Sequence, residues 1–194
     1  CYQQLGANII HKAQYPVFIP EIQAFLNSLH QYPSLTCDIE AFSLNPFEAG
    51  IGSIAFAWNK HEGGAFLVDW ARRLDDSPLK GNQVNNKGVK SLLKHFFINY
   101  KGNLKYHNAT YDIKVLILEL FMSHPQDYEG MLYGLEVMTR DIDDTKVIAY
   151  LALNTTAELS LGLKDLGHEY AGDYAESDIK NIRLIPQESL LKYN

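Results

Sequence analysis

LTCDIEAF, residues 35–42, is the stretch on which the fold turns. Leu35, Cys37, Ile39 and Ala41 alternate with Thr36, Asp38, Glu40 and Phe42, the period-two pattern of a strand with one apolar face. Asp38 and Glu40 lie two residues apart, so they project together from the opposite face. On a central strand, like charges roughly 7 Å apart repel each other and resist desolvation. A divalent cation would relieve that cost. A solvated pair on an edge strand is the plainer reading, because Asp-x-Glu is a common combination.

Further strands and helices follow on either side. GIGSIAFAW (50–58) and GAFLVDW (64–70) read as the next two strands, with Glu62-Gly63-Gly64 in the turn between them, which makes an antiparallel meander. Upstream, Pro20 opens an amphipathic helix over 20–31, with Ile22, Phe25, Leu26 and Leu29 at helical spacing. After the polar stretch 75–88, GVKSLLKHFFINY (88–100) is helical, and LKYHN (104–108) is a short strand running into a helix over 109–122. A strand near 137–142 leads to a helix over 144–153, whose Val147, Ile148, Leu151 and Leu153 are expected to face the core. Residues 160–170 read as helical, and Pro186 begins another helix over 186–194. The order βββαβαβα predicts an α/β fold, a mixed five-stranded sheet flanked by helices. Residues 20–194 read as one domain, and the role of 1–19 is left open.

At 194 residues, 46% hydrophobic and 21% charged, the composition is that of a globular chain. KVLILELFM (114–122) carries charges and is too short to span a bilayer, and the N-terminus has no signal-peptide pattern. Cys1 and Cys37 offer neither a disulfide framework nor a Cys-based zinc site, so a reducing, cytoplasmic setting is expected. The formal net charge of −6 argues against a general DNA-coating protein. It is compatible with clustered carboxylates that await cations. No Gly-x-Ser-x-Gly elbow, P-loop, Gly-x-Gly-x-x-Gly or His-Glu-x-x-His pattern is present.

Two more acidic segments accompany the first. In HNATYDIKVL (107–116), Asn108 ends a strand where its side chain can cap the next helix, and Asp112 lies four residues on, near the positive helix terminus. A cap and a first-turn acid explain each residue singly. In IDDTKVIAYLAL (142–153), Asp144 or Thr145 can cap a helix, and Asp141, Asp143 and Asp144 form a cluster that a solvated helix start would also explain.

Taken together and in order, these segments resemble the 3′→5′ proofreading exonuclease domain of family A DNA polymerases. DIEAFSL (38–44) resembles the first exonuclease motif, Asp-x-Glu followed by Leu, and HNATYDIKVL resembles the second, Asn-x-x-x-Asp with Tyr before the Asp. DDTKVIAYLAL and LGLKDLG resemble the stretch before the third motif, and PQESLLKYN (186–194) resembles the helix approaching its Tyr-x-x-x-Asp. The likeness covers roughly residues 35–194, and the wording of 166–194 is similar to bacteriophage-type polymerases.

The resemblance implies an RNase H-like fold of the DEDD type acting on DNA 3′ ends with two divalent ions, Mg²⁺ or Mn²⁺. Asp38 would bridge both ions, Glu40 would hold the first, and Asp112 would anchor the second through its water shell. Tyr193 would orient the attacking water. Leu44 would wedge against the terminal base pair, Asn108 would support the second motif or touch substrate, and Phe42 and Tyr111 are candidates for stacking on frayed bases or for the core. The motif places its fourth carboxylate three residues past Tyr193-Asn194, and a polymerase domain is expected C-terminal to it. Weak activity is therefore expected of these 194 residues alone. Tyr174 and Asp178 also fit Tyr-x-x-x-Asp, but no clear apolar helix precedes them. An exoribonuclease of the RNase D kind uses the same carboxylates, and an inactive scaffold domain with this fold is a third reading.

Overall fold

A computed structural model describes residues 12–152 and 160–171. In chain order its elements are β1 (Lys12–Gln14), α1 (Ile19–Leu29), β2 (Ser34–Glu40), β3 (Ser53–Asn59), β4 (Glu62–Leu67), β5 (Trp70–Arg72) and β6 (Pro78–Gln83). There follow α2 (Lys87–Asn99), β7 (Asn103–Tyr106), α3 (Ala109–Leu120), α4 (Tyr128–Met138), β8 (Ile142–Asp144), α5 (Thr145–Ala152) and α6 (Leu163–Ala171). The main sheet runs β1-β4-β3-β2-β7-β8. β2, β3 and β4 form the expected meander, while β7 pairs parallel to β2 and β8 parallel to β7.

The alternation of LTCDIEAF controls which face is covered. Leu35, Cys37 and Ile39 are buried, and Thr36, Asp38 and Glu40 are exposed. Register carries the apolar row across the sheet: Cys37 faces Phe56 and Ile39 faces Ile54, which in turn faces Phe66. Ile22, Phe25, Leu26 and Leu29 of α1 bury as their spacing predicts. Val89, Leu93, Phe96 and Phe97 of α2 complete the layer, with Phe96 meeting Phe56 edge-on at 5.3 Å. Gly64 keeps β4 flush with this packing, since a Cβ there would lie 2.8 Å from the Phe25 ring.

The mixed α/β sheet flanked by helices is as expected, with several local differences. Lys12–Gln14 adds a sixth strand, parallel to β4, so part of the N-terminal segment belongs to the sheet. The polar stretch after residue 75 contains β6, which forms a small antiparallel pair with β5. The turn between β3 and β4 is Lys60-His61, and Glu62-Gly63-Gly64 lies within the strand. The strand expected near 137–142 starts only at Ile142 and is preceded by α4, because Asp127 caps a helix there by accepting from the Gly130 N–H at 2.8 Å. The apolar residues of α5 were expected in the core but are not buried. Val147 is 52% and Leu151 76% exposed, because among the described residues nothing covers that face. Leu153 lies outside the described residues. Among the described residues no helix is long and apolar enough to cross a membrane.

Candidate functional site

The carboxyl ends of the three parallel strands meet at one edge of the sheet. Asp38 and Glu40 close β2, His107 and Asn108 directly follow β7, and Asp144 is the last residue of β8. In open α/β sheets this edge is where ligands bind. Asp112 comes to the same place from the first turn of α3.

Asp112 is 7% exposed, and its carboxyl is pushed up to about 7, first by burial and then by Asp38, Glu40 and Asp144. Asp38 and Glu40 reach solvent, yet the packed protein beneath them also raises both. Asp38 adds to the rise of Glu40, whereas His107 partly offsets the rise of Asp38. The three carboxylates therefore share one electrostatic neighbourhood.

Asp69 shows what a buried carboxylate with a structural role looks like in this protein. It is 2% exposed, pairs with Lys90 at 2.9 Å, and accepts from the N–H groups of Ile51 at 2.7 Å and Asn86 at 3.0 Å. Lys90 also reaches Glu119 at 2.5 Å. Among the described residues no such hydrogen-bond donor or cation meets Asp38, Glu40 or Asp112. All three supply hard anionic oxygens, the donor type that suits Mg²⁺ or Mn²⁺. Among the described residues no three His, Cys, Asp or Glu side chains form a ready-made metal-holding group, so the carboxylates are gathered without forming a closed cage.

Asp144 holds this corner together. Its carboxylate accepts from the N–H groups of Asn108 at 3.0 Å and Ala109 at 2.9 Å at the start of α3, and from Lys146 at 2.9 Å at the start of α5. Burial raises its carboxyl, but the backbone donors outweigh that and hold it below the usual carboxylate range. Asn108 was expected to cap α3 with its side chain. Instead it adopts left-handed geometry (φ 63°, ψ 51°) and makes no side-chain cap, because Asp144 already takes the free N–H groups. The Asn108 side chain is exposed, and its Oδ1 accepts from Lys146 at 3.4 Å.

Of the other anticipated residues, Leu44 is 91% exposed in the loop after β2. Phe42 lies edge-on against Trp70 at 5.5 Å and beside Gly52, where a Cβ would come within 2.8 Å of the Glu40 carbonyl oxygen. Trp70 Nε1 donates to the Gly52 carbonyl at 3.0 Å, so Phe42, Gly52 and Trp70 brace the end of β2. Tyr111 packs against the core, and its hydroxyl donates to the Ser43 carbonyl at 2.5 Å, tying α3 to the loop that carries Leu44. Tyr193 and the alternative pair Tyr174 and Asp178 lie outside the described residues.

No family model matches this chain, and no curated protein matches it. Solved structures do. Magnesium- and manganese-bound Pop2p of S. pombe aligns with a TM-score of 0.57 at 15% identity, covering 81% of this chain and 81% of that one. The RNase domain of yeast Pop2 aligns with a TM-score of 0.57 at 10% identity, covering 81% of this chain and 75% of that one. The fold is RNase H-like. Escherichia coli RNase D aligns with a TM-score of 0.49 at 16% identity, and this chain, with 82% covered, spans 33% of that protein's length.

Within this RNase H-like sheet, residues that matter at the corner escaped the sequence reading. His107 drew no notice of its own, although it stands immediately before Asn108. The bridging role of Asp144 has no local signature, because two of its partners lie 35 and 36 residues away.

Proposed function

We propose that the chain is a 3′→5′ exonuclease of the DEDD type, and that it serves as the proofreading domain of a family A, bacteriophage-type DNA polymerase. The observation that carries the nuclease reading is the grouping of Asp38, Glu40 and Asp112, which among the described residues have no Lys or Arg partner, beside a fully partnered Asp69 in the same core. A folded chain tolerates such repulsion at a site that a cation will neutralise. The polymerase setting rests on the ordered motif resemblance.

Asp38, Glu40 and Asp112 would hold two Mg²⁺ or Mn²⁺ ions. Bound there, such ions lower the pKa of a water and stabilise the charge on the leaving oxygen. The chain's own residues do the rest. Leu44 stands free to wedge beside a terminal base, and Tyr111 fixes the loop that presents it. Phe42 is partly exposed just after the end of β2. Tyr193 would orient the water. Mispaired ends, which unstack at lower cost, would enter more readily.

RNA as the substrate is the second reading, favoured by the RNase domain of Pop2 among the similar structures. A time course on 5′-labelled DNA and RNA oligomers of one sequence, with Mg²⁺ or Mn²⁺, separates the two. It uses the chain and the chain carrying Asp38→Ala and Glu40→Ala. Shortening of DNA from its 3′ end by the chain and not by the variant is the expected result. Preference for RNA would replace the proofreading assignment, and inertness on both would favour the scaffold reading.

A further inference from the structure

The Thr145 hydroxyl dictates the protonation pattern of His107. Thr145 Oγ1 lies 3.0 Å from the Tyr106 carbonyl oxygen, which can only accept, so the single hydroxyl hydrogen is committed to that bond. The same Oγ1 lies 3.0 Å from His107 Nδ1 and must therefore accept from it. Nδ1 thus carries a hydrogen, and in the neutral ring the lone pair is left on Nε2. Among the described residues nothing pairs with Nε2. His107 is half-buried, at the carboxyl end of β7, within electrostatic reach of Asp38.

We propose that His107 is a substrate-side acceptor whose Nε2, kept free by Thr145, takes a hydrogen bond from an O–H group in the carboxylate site, either a water or the sugar hydroxyl of the terminal nucleotide. The proposal rests on the exonuclease reading and adds to it a residue outside the four-carboxylate scheme. An acceptor is the chemistry this position calls for. On the exonuclease reading Asp38 and Glu40 would meet cations through oxygen, and an N–H donor pointing among them would compete with those cations. Thr145 is the first residue of α5, and its bond to Tyr106 locks that helix to β7, so the tautomer is fixed by the same contact that shapes the corner.

The test reads the tautomer directly. Long-range ¹H–¹⁵N correlation spectra of histidine-labelled protein at about pH 8 are recorded for the wild type, Thr145→Val and Thr145→Ser. His107→Gln identifies the resonance by its loss. The wild type and Thr145→Ser are expected to show the Nδ1–H form, and Thr145→Val a shift toward Nε2–H. An Nε2–H ring in the wild type overturns the proposal whatever the activity.

In the oligomer assay, His107→Phe and Thr145→Val should each lower turnover about tenfold, the worth of one well-placed hydrogen bond, with Thr145→Ser close to wild type. Unchanged turnover in His107→Phe also overturns the proposal. A 3′-deoxy-terminated oligomer tells the two donors apart. The His107→Phe defect disappears on it if the sugar hydroxyl is the donor and persists if water is. A wild type that cleaves nothing, yet shows the Nδ1–H ring, would instead count against the exonuclease reading.

Discussion

At the scale of single residues, Asp112 is where structure and chemistry pull hardest against each other. Burial raises its carboxyl to about 7, and Asp38, Glu40 and Asp144 add to the effect. The native state therefore binds this proton more tightly than the unfolded chain does. The stability so gained is fully present below the unfolded value of 3.8 and is lost as the pH rises through about 7. Asp112→Asn is close in shape and carries no charge. In EDTA it should melt like the wild type near pH 4 and exceed it near pH 8 by on the order of 1–3 kcal/mol. Parallel melting curves at the two pH values would contradict the reading of Asp112 as an uncompensated buried acid. Added Mg²⁺ should remove the variant's advantage, because only the wild type gains a ligand from it.

At the scale of elements, Asp144 is the feature with most leverage. One carboxylate serves the N-termini of α3 and α5, and α3 in turn carries Asp112 in its first turn. Removing a single cap typically costs about 1 kcal/mol. Asp144→Ala removes two, so a loss of about 2 kcal/mol is expected. Hydrogen exchange should quicken at the first turns of both helices and leave β2 and β3 protected, whereas a uniform change across the sheet would mean that Asp144 is not the link. Sequence reading reached part of this corner. The period-two pattern of LTCDIEAF revealed β2, its buried face and its carboxylate face, because a half-covered strand writes its environment into alternate residues. The sequence offers Asp144 or Thr145 as the cap of α5 and Asp144 as one of an acidic cluster, but not its reach to α3, because a bond from β8 to the start of α3 depends on the parallel pairing of β7 and β8. The same limit hid the true cap of α3 and led to Asn108 being assigned that task. The helical spacing of α5 was legible, but its burial was not, because spacing alone cannot say whether a partner surface exists.

At the scale of the whole molecule, one design explains the sheet. Its apolar face is sealed by α1 and α2, and the carboxyl ends of β2, β7 and β8 deliver acidic side chains to one edge. A second charge system, Asp69 with Lys90 and Glu119, joins the segment after β4 to α2 and α3 and carries its own cation. Among the described residues no Lys or Arg pairs with the carboxylates of the acidic edge, and the chain as a whole carries a net charge of −6. A phosphodiester would be repelled from that edge until cations arrive. The central claim is therefore that the edge is a divalent-cation site, and the most direct measurement is a Mn²⁺ titration followed by the loss of the free ion's paramagnetic resonance signal. The wild type should take up Mn²⁺ and release protons near pH 7 as Asp112 ionises. Asp38→Ala and Asp112→Asn should each weaken that uptake about tenfold or more, and Asp69→Asn, if it folds, should not abolish it. Equal uptake by the wild type and by the protein lacking Asp38 would contradict the account.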